Sequence, residues 1–280
     1  MGKEGEGGRK TCGRLSLIIV ICRKTFSLVR QLYGLIGYPL GHSFSQRYFT
    51  EKFAREGIRD AQYDLFPLPD IGQFPALLRE HPGLRGLNVT IPHKETVIPF
   101  LDRLDATAGA VGAVNCIRIQ QGRLEGFNTD VYGFELSLLG FLQKNKTAPR
   151  GLPAYILGTG GAAKAAAFVL KKLGIGFQYV SRQPRRPDDI SYDALAQHIA
   201  PAALFVNTTP LGMSPDTERC PDLPFERLGP GHLVFDLIYN PAETLLMRRA
   251  AQQGAAVQNG LEMLVLQAEK AWEIWQSDGD

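Results

Sequence analysis

The segment Asn88-Val89-Thr90-Ile91-Pro92-His93-Lys94 ends an apolar run with an amide, a hydroxyl and an ammonium that neither a strand nor a turn requires. An ammonium held in such a place can stabilise a developing oxyanion and supply a proton. A second polar cluster, Gly37-Tyr38-Pro39-Leu40-Gly41-His42-Ser43-Phe44-Ser45, sets two hydroxyls beside a helix start. Asn115 lies in a short apolar run, and Asn128-Thr129-Asp130 precedes a helical pattern. Each has a plainer reading: Ser45 or Asp130 as a helix cap, His42 and His93 as structural histidines.

A different chemistry is written at Gly158-Thr159-Gly160-Gly161-Ala162-Ala163-Lys164, which follows one apolar run and opens an alanine-rich one. Glycines there let the backbone turn tightly and approach a pyrophosphate, whose charge a helix N-terminus stabilises. The spacing is G-x-G-G-A rather than G-x-G-x-x-G, so an ordinary tight βα turn stays open at this point. The next strand ends in Ser181-Arg182-Gln183-Pro184-Arg185-Arg186, with no carboxylate before Asp188. An acidic residue at that strand end would bind a ribose 2′-hydroxyl. Arg182 instead offers a planar fork to a 2′-phosphate, with Arg185 or Arg186 adding charge. The expected cofactor is therefore NADP, the alternative being a solvated basic loop.

These residues need a frame of alternating strands and helices. Apolar runs predict strands at 32–37, 61–66 and 84–89, with helices at 45–56 and 71–80 between them and a helix opening at Pro92. Runs 113–119 and 123–127 flank a Gln121-Gly122 turn and predict a hairpin. A helix over 130–143 leads to the polar stretch 144–151, the best linker candidate. A second series follows: strands at 154–157, 177–180, 204–207 and 233–238, helices at 162–173, 243–253 and 261–275. In the last helix Leu261, Leu264, Val265, Ala268, Trp272 and Trp275 share one apolar face. Such alternation implies parallel sheets covered by helices.

The chain has 280 residues, 44% hydrophobic and 21% charged, enough for two modest domains. Its net charge of +3 is concentrated at one end. Residues 1–30 hold seven Lys or Arg against two Glu, leaving 24 basic and 26 acidic residues, a net of −2, in the rest. That balance gives no nucleic-acid surface. The four cysteines make no CxxC pair and no cluster with histidine, so neither a metal site nor a disulfide framework is expected, and a reducing cytoplasm fits. Leu15 to Cys22 is too short to span a bilayer. Residues 1–30 read as an extension that does not pack.

Together these motifs resemble the shikimate dehydrogenase family, from about Tyr33 to Trp275. The resemblance is carried by GYPLGHSFS, NVTIPHK, GFNTD, GTGGAAK, VSR, NTTPLGM (207–213), DLIYNP (236–241) and GLEMLVLQ (260–267). It implies an α/β protein with an N-terminal substrate-binding domain (31–130 and 255–280), a Rossmann-type NADP-binding domain (131–254) and a C-terminal helix returning to the first. It further implies Lys94 and Asp130 as the catalytic pair. Ser43 and Ser45 would hold the substrate carboxylate, and Asn88, Thr90, Asn115 and Gln267 the ring hydroxyls, with Tyr239 nearby. Gly158, Gly160, Gly161 and Ala162 would take the pyrophosphate, Arg182 the 2′-phosphate, and Asn207, Thr208, Met213 and Gly260 would lie against the cofactor.

The activity so implied is NADPH-dependent reduction of 3-dehydroshikimate to shikimate, on the route to chorismate and aromatic amino acids, with no metal. The expected partner is this small substrate, on a monomer or homodimer away from membranes. Gln46 and Gln183 depart from the family pattern, which touches helix entry and the contacts around the 2′-phosphate. Alternatives are a quinate/shikimate dehydrogenase, a catalytically silent sensor and, by fold only, a folate-linked dehydrogenase.

Overall fold

The computed structural model describes residues 31–41, 44–187 and 189–277. The extension 1–30, His42, Ser43 and Asp188 lie outside the described residues.

The first half builds a six-stranded sheet. Its strands are β1 (Gln31–Gly37), β2 (Ala61–Pro67), β3 (Leu84–Val89), β4 (Arg103–Leu104), β5 (Cys116–Gln120) and β6 (Arg123–Phe127), in spatial order β2-β1-β3-β5-β6-β4. Helices α1 (Phe44–Glu56), α2 (Phe74–Glu80) and α3 (Ala106–Val111) connect them. The parallel pairing expected from alternation holds for β1–β3, and the expected hairpin adds an antiparallel part. β1, β2 and β3 are parallel, but β5 runs antiparallel to β3 and β6 antiparallel to β5. The Gln121-Gly122 turn reverses β6 on β5, both residues having positive φ (51° and 76°), as a two-residue hairpin turn requires. The helix expected over 71–80 is split into a 3₁₀ turn (Ile71–Gln73) and α2, with Asp70 capping the turn and Pro75 at the helix start. No helix opens at Pro92; turns lead instead to a 3₁₀ turn at Ile98–Phe100.

The second half begins with α4 (Thr129–Lys144). It continues through β7 (Ala154–Leu157), α5 (Gly161–Lys172), β8 (Phe177–Val180), β9 (Asp189–Ile190), α6 (Tyr192–His198), β10 (Ala203–Asn207), β11 (His232–Asp236), α7 (Leu245–Gln252), β12 (Ala256–Gln258) and α8 (Leu261–Gln276). The sheet order is β12-β11-β10-β7-β8-β9, every pair parallel. The chain runs outward from β7 one way and from β10 the other. A switch point therefore lies between the carboxyl ends of β7 and β10, where open α/β sheets bind ligands.

Both faces of this sheet are covered. Phe134, Leu138 and Phe141 of α4 and Val169 and Leu170 of α5 bury Ile156, Val206 and Phe235. Leu157, Phe205, Val234 and Leu246 form the core of the other face. Because α4 shares a core with β7, the stretch 144–151 joins two elements of one layered unit and is not the linker between sheets. α8 belongs to both halves: Met263 enters the second core, while Ala268, Ala271 and Trp275 pack with Tyr33, Phe49 and Phe53 in the first. Its expected face is met in part, at Ala268, Trp272 and Trp275. Leu261 is exposed, and Met263, Gln267, Ala268, Ala271 and Trp275 are the buried positions. Among the described residues no helix is long and apolar enough to cross a membrane.

Candidate active site

Lys94 follows the turn at the end of β3, and Asp130 is the second residue of α4. The helix is capped by Asn128, whose side chain accepts the Val131 N–H, so the Asp130 carboxylate is not consumed as a cap. It lies instead 2.7 Å from Lys94 Nζ, with both side chains largely but not wholly buried. The Lys94 carbonyl accepts the Val114 N–H at 2.7 Å, which ties this turn to the approach of β5.

The polar residues of the first half form one connected network. Tyr63 on β2 donates to Asn88 Oδ1 at 2.8 Å and is also hydrogen-bonded to the Ser45 hydroxyl. Burial pushes the Tyr63 phenol well up, so it stays a donor and fixes which way the Asn88 amide points. Asn115 accepts the Thr129 N–H at 2.6 Å and donates to Thr129 Oγ1 at 3.0 Å. Gln267 Oε1 lies 3.3 Å from the same hydroxyl. Asn115 and Gln267 are thus held together across 152 residues by Thr129, the neighbour of Asp130. Ser45 lies inside α1 and does not cap it. Tyr239 reaches the same region, its ring edge-on to Phe44 at 5.5 Å. His93 is buried with its ring nitrogen on the Leu68 carbonyl, the structural role considered for it. Tyr63 was not singled out in the sequence, because nothing local marks one tyrosine on an alternating strand. Thr129 carried a signal, its place between Asn128 and Asp130.

Lys94 also stands on the wall of a cleft of about 1040 Å³ between the two halves. That exceeds the volume of ordinary small-ligand pockets and suits a dinucleotide. The opposite wall is the glycine loop Gly158–Ala162, with Val180–Arg182 and Thr208–Leu211 alongside. Gly158 has φ +108°, and a Cβ there would lie 2.8 Å from Thr208 Oγ1, so only glycine lets β7 and β10 close up at the switch point. Gly160 and Gly161 open α5 with nothing above them, leaving a bare helix N-terminus on the cleft. Arg182 is exposed on the same wall. Across the cleft Lys164 pairs with Glu95 at 2.8 Å, joining α5 to the residue after Lys94.

Three other positions do not line this cleft. Asn207 is wholly buried, donating to Asp236 Oδ1 and accepting from the Thr209 N–H and hydroxyl. Met213 is exposed beyond the wall. Gly260 packs on Leu237, whose carbonyl oxygen would lie 2.1 Å from a Cβ.

The family model described as the shikimate dehydrogenase substrate binding domain matches residues 35–117. The chain is 40% identical over 262 residues to a shikimate dehydrogenase (NADP(+)) of Geobacillus kaustophilus, covering 88% of this chain and 93% of the relative. Among solved structures, a chorismate mutase/shikimate 5-dehydrogenase fusion protein of Clostridium acetobutylicum aligns with TM-score 0.78 at 33% identity, over 88% of this chain and 91% of that one. The shikimate 5-dehydrogenase of Thermus thermophilus in complex with NADP(H) and shikimate aligns with TM-score 0.75 at 32% identity, over 88% and 93%. With its two-sheet fold, its glycine loop at the switch point and these likenesses along nearly nine-tenths of its length, the chain belongs to the shikimate dehydrogenase family.

Proposed function

We propose that the protein catalyses the reversible, NADPH-dependent reduction of 3-dehydroshikimate to shikimate, a step toward chorismate and the aromatic amino acids. The observation that carries this reading is Lys94, paired with Asp130 at 2.7 Å and standing on the wall of a cleft whose other wall is the glycine loop and Arg182. Lys94 holds positive charge and a proton beside the C3 carbonyl oxygen, and acts as electrostatic stabiliser and general acid. Asp130 orients that ammonium and a substrate hydroxyl. A bound nicotinamide supplies the hydride.

Ser45, with Ser43, holds the substrate carboxylate, and Asn88, Thr90, Asn115 and Gln267 receive the ring hydroxyls beside Tyr239. Their support is the network above, which gives each amide a fixed donor and acceptor side. Gly158, Gly160, Gly161 and Ala162 hold the pyrophosphate at the α5 N-terminus, Arg182 the 2′-phosphate, and Thr208 the ribose side. Asn207 and Gly260 act from behind these contacts, and Met213, at the exposed end of the 207–213 loop, lies beside the nicotinamide. The substrate-binding domain comprises 31–130 and the C-terminal helix, and the NADP domain 131–254 extended by β12, since α4 and β12 belong with the second sheet and Trp275 packs in the first core. The protein works in the cytoplasm as a monomer or homodimer.

Initial rates with shikimate or quinate, each crossed with NADP or NAD, test the reading. A dominant shikimate–NADP rate is expected. Comparable turnover of quinate with NAD would make it a quinate/shikimate dehydrogenase, and no turnover in any combination would make it a sensor.

A further inference from the structure

β8 and β9 are parallel neighbours, Tyr179 opposite Asp189 and Val180 opposite Ile190, yet only residues 181–188 join them. A parallel crossover ordinarily needs a dozen or more residues and a helix. The shortened connection is held by Asp189, whose Oδ2 accepts the backbone N–H groups of Arg185 and Arg186 at 3.1 Å each. The Arg186 guanidinium is turned onto the sheet, 4.8 Å over the Tyr179 ring. Arg182 is left exposed on the cleft wall.

With no crossover helix in the way, the residue just after β9 and the Ser191 cap, Tyr192, reaches that same wall. Its ring is half-buried against the cluster containing Leu195 and Leu223. Its hydroxyl has no hydrogen-bond partner among the described residues. Tyr192 and Arg182 line the same wall; burial pushes the phenol up, and the Arg182 guanidinium pulls it back. Asp222 also acts on Tyr192, and Asp193 lines the wall beside it. Arg219 stands on this wall as well, so charges of both signs surround the site. A directed hydrogen bond, which strengthens when the acceptor is ionised, adds to the discrimination that charge supplies.

We propose that Tyr192 is a second specificity-determining residue for the cofactor, its hydroxyl donating to the 2′-phosphate beside Arg182. The inference rests on the NADP reading above. Fluorescence titration with NADPH and with NADH, without substrate, tests it on the parent protein, Tyr192→Phe, Arg182→Ala and the double variant. The phenyl ring keeps the packing and removes only the donor. Tyr192→Phe should weaken NADPH by about tenfold and NADH by less than about twofold, the scale of one hydrogen bond to a charged group. The double variant should lose less than the product of the single losses, because both residues act on one phosphate. Equal weakening of both cofactors, or no weakening of NADPH, would overturn the role of Tyr192. A parent protein without preference for NADPH would overturn the cofactor reading itself, and the inference with it.

Discussion

Trp275 lies directly against Gly86: a Cβ on that glycine would sit 2.3 Å from the indole. The contact seats the end of α8 on β3, and the indole N–H donates to the Ile117 carbonyl at 3.0 Å. Two turns earlier the same helix carries Gln267 into the Asn115–Thr129 network. Packing at 86 and 275 therefore sets where a substrate-side amide stands.

Gly86→Ala should force the indole off the sheet and destabilise the protein by about 1–3 kcal/mol, the usual cost of overpacking. Urea unfolding measures the loss. The KM for shikimate should rise with it, because Gln267 moves with its helix. An unchanged unfolding midpoint would show that the indole yields freely.

Asp236 is wholly buried at the end of β11, and burial pushes its carboxyl up to about 6 in spite of hydrogen bonds from Thr244, the Ile238 N–H and Asn207. An unfolded aspartate titrates near about 3.9. The folded state thus holds this proton more tightly. Its contribution to stability is complete below about pH 4 and is lost as pH rises through about 6, on the order of 3 kcal/mol. Asp236→Asn keeps an acceptor for Asn207 and Ile238 and turns an N–H toward Thr244. The difference between parent and variant stability, followed by urea unfolding from pH 4 to 7, should therefore change across that window. Parallel profiles would remove Asp236 as the titrating group.

The second sheet was legible because its strands are short apolar runs closed by glycine, proline or polar turns, and Gly158–Lys164 marks where the first one ends. The hairpin was legible from Gln121-Gly122. What escaped was set by distant partners. α8 buries Gln267 because its amide finds Asn115 and Thr129, partners far away in sequence that no local period reveals. β9 and α6 carry too few residues for a period to show. Tyr63, Asn88 and Ser45 meet only after β2 pairs with β1, so no local spacing marks Tyr63 as part of the site.

Arg182 is exposed on the cleft wall at the end of β8. Arg182→Ala should raise the KM for NADPH and leave that for NADH nearly unmoved, at a cost of about 1.5–3 kcal/mol, typical of a hydrogen bond to a charged group. Equal weakening of both cofactors would mean that Arg182 does not read the 2′-phosphate. Arg185 would then be the next cation to replace, since Arg186 is committed to Tyr179.

Lys94 is the residue on which the mechanism depends most. Held at 2.7 Å from Asp130, its ammonium has one carboxylate partner and a face on the cleft. If it acts on the oxyanion, its strongest interaction exists in the transition state and not in the ground-state complex. Lys94→Ala should then lower kcat by about 10²–10⁴-fold, the span of a positioned acid–base group. The KM for shikimate should change far less, because Ser45 and the amides still hold the ligand. A lysine that merely binds substrate would raise KM and leave kcat in place. Removing it also leaves Asp130 without its cation, so Lys94→Met and Asp130→Asn belong in the same series, with circular dichroism to confirm folding. A kcat within about threefold of the parent in the lysine variants would remove Lys94 from the acid–base role.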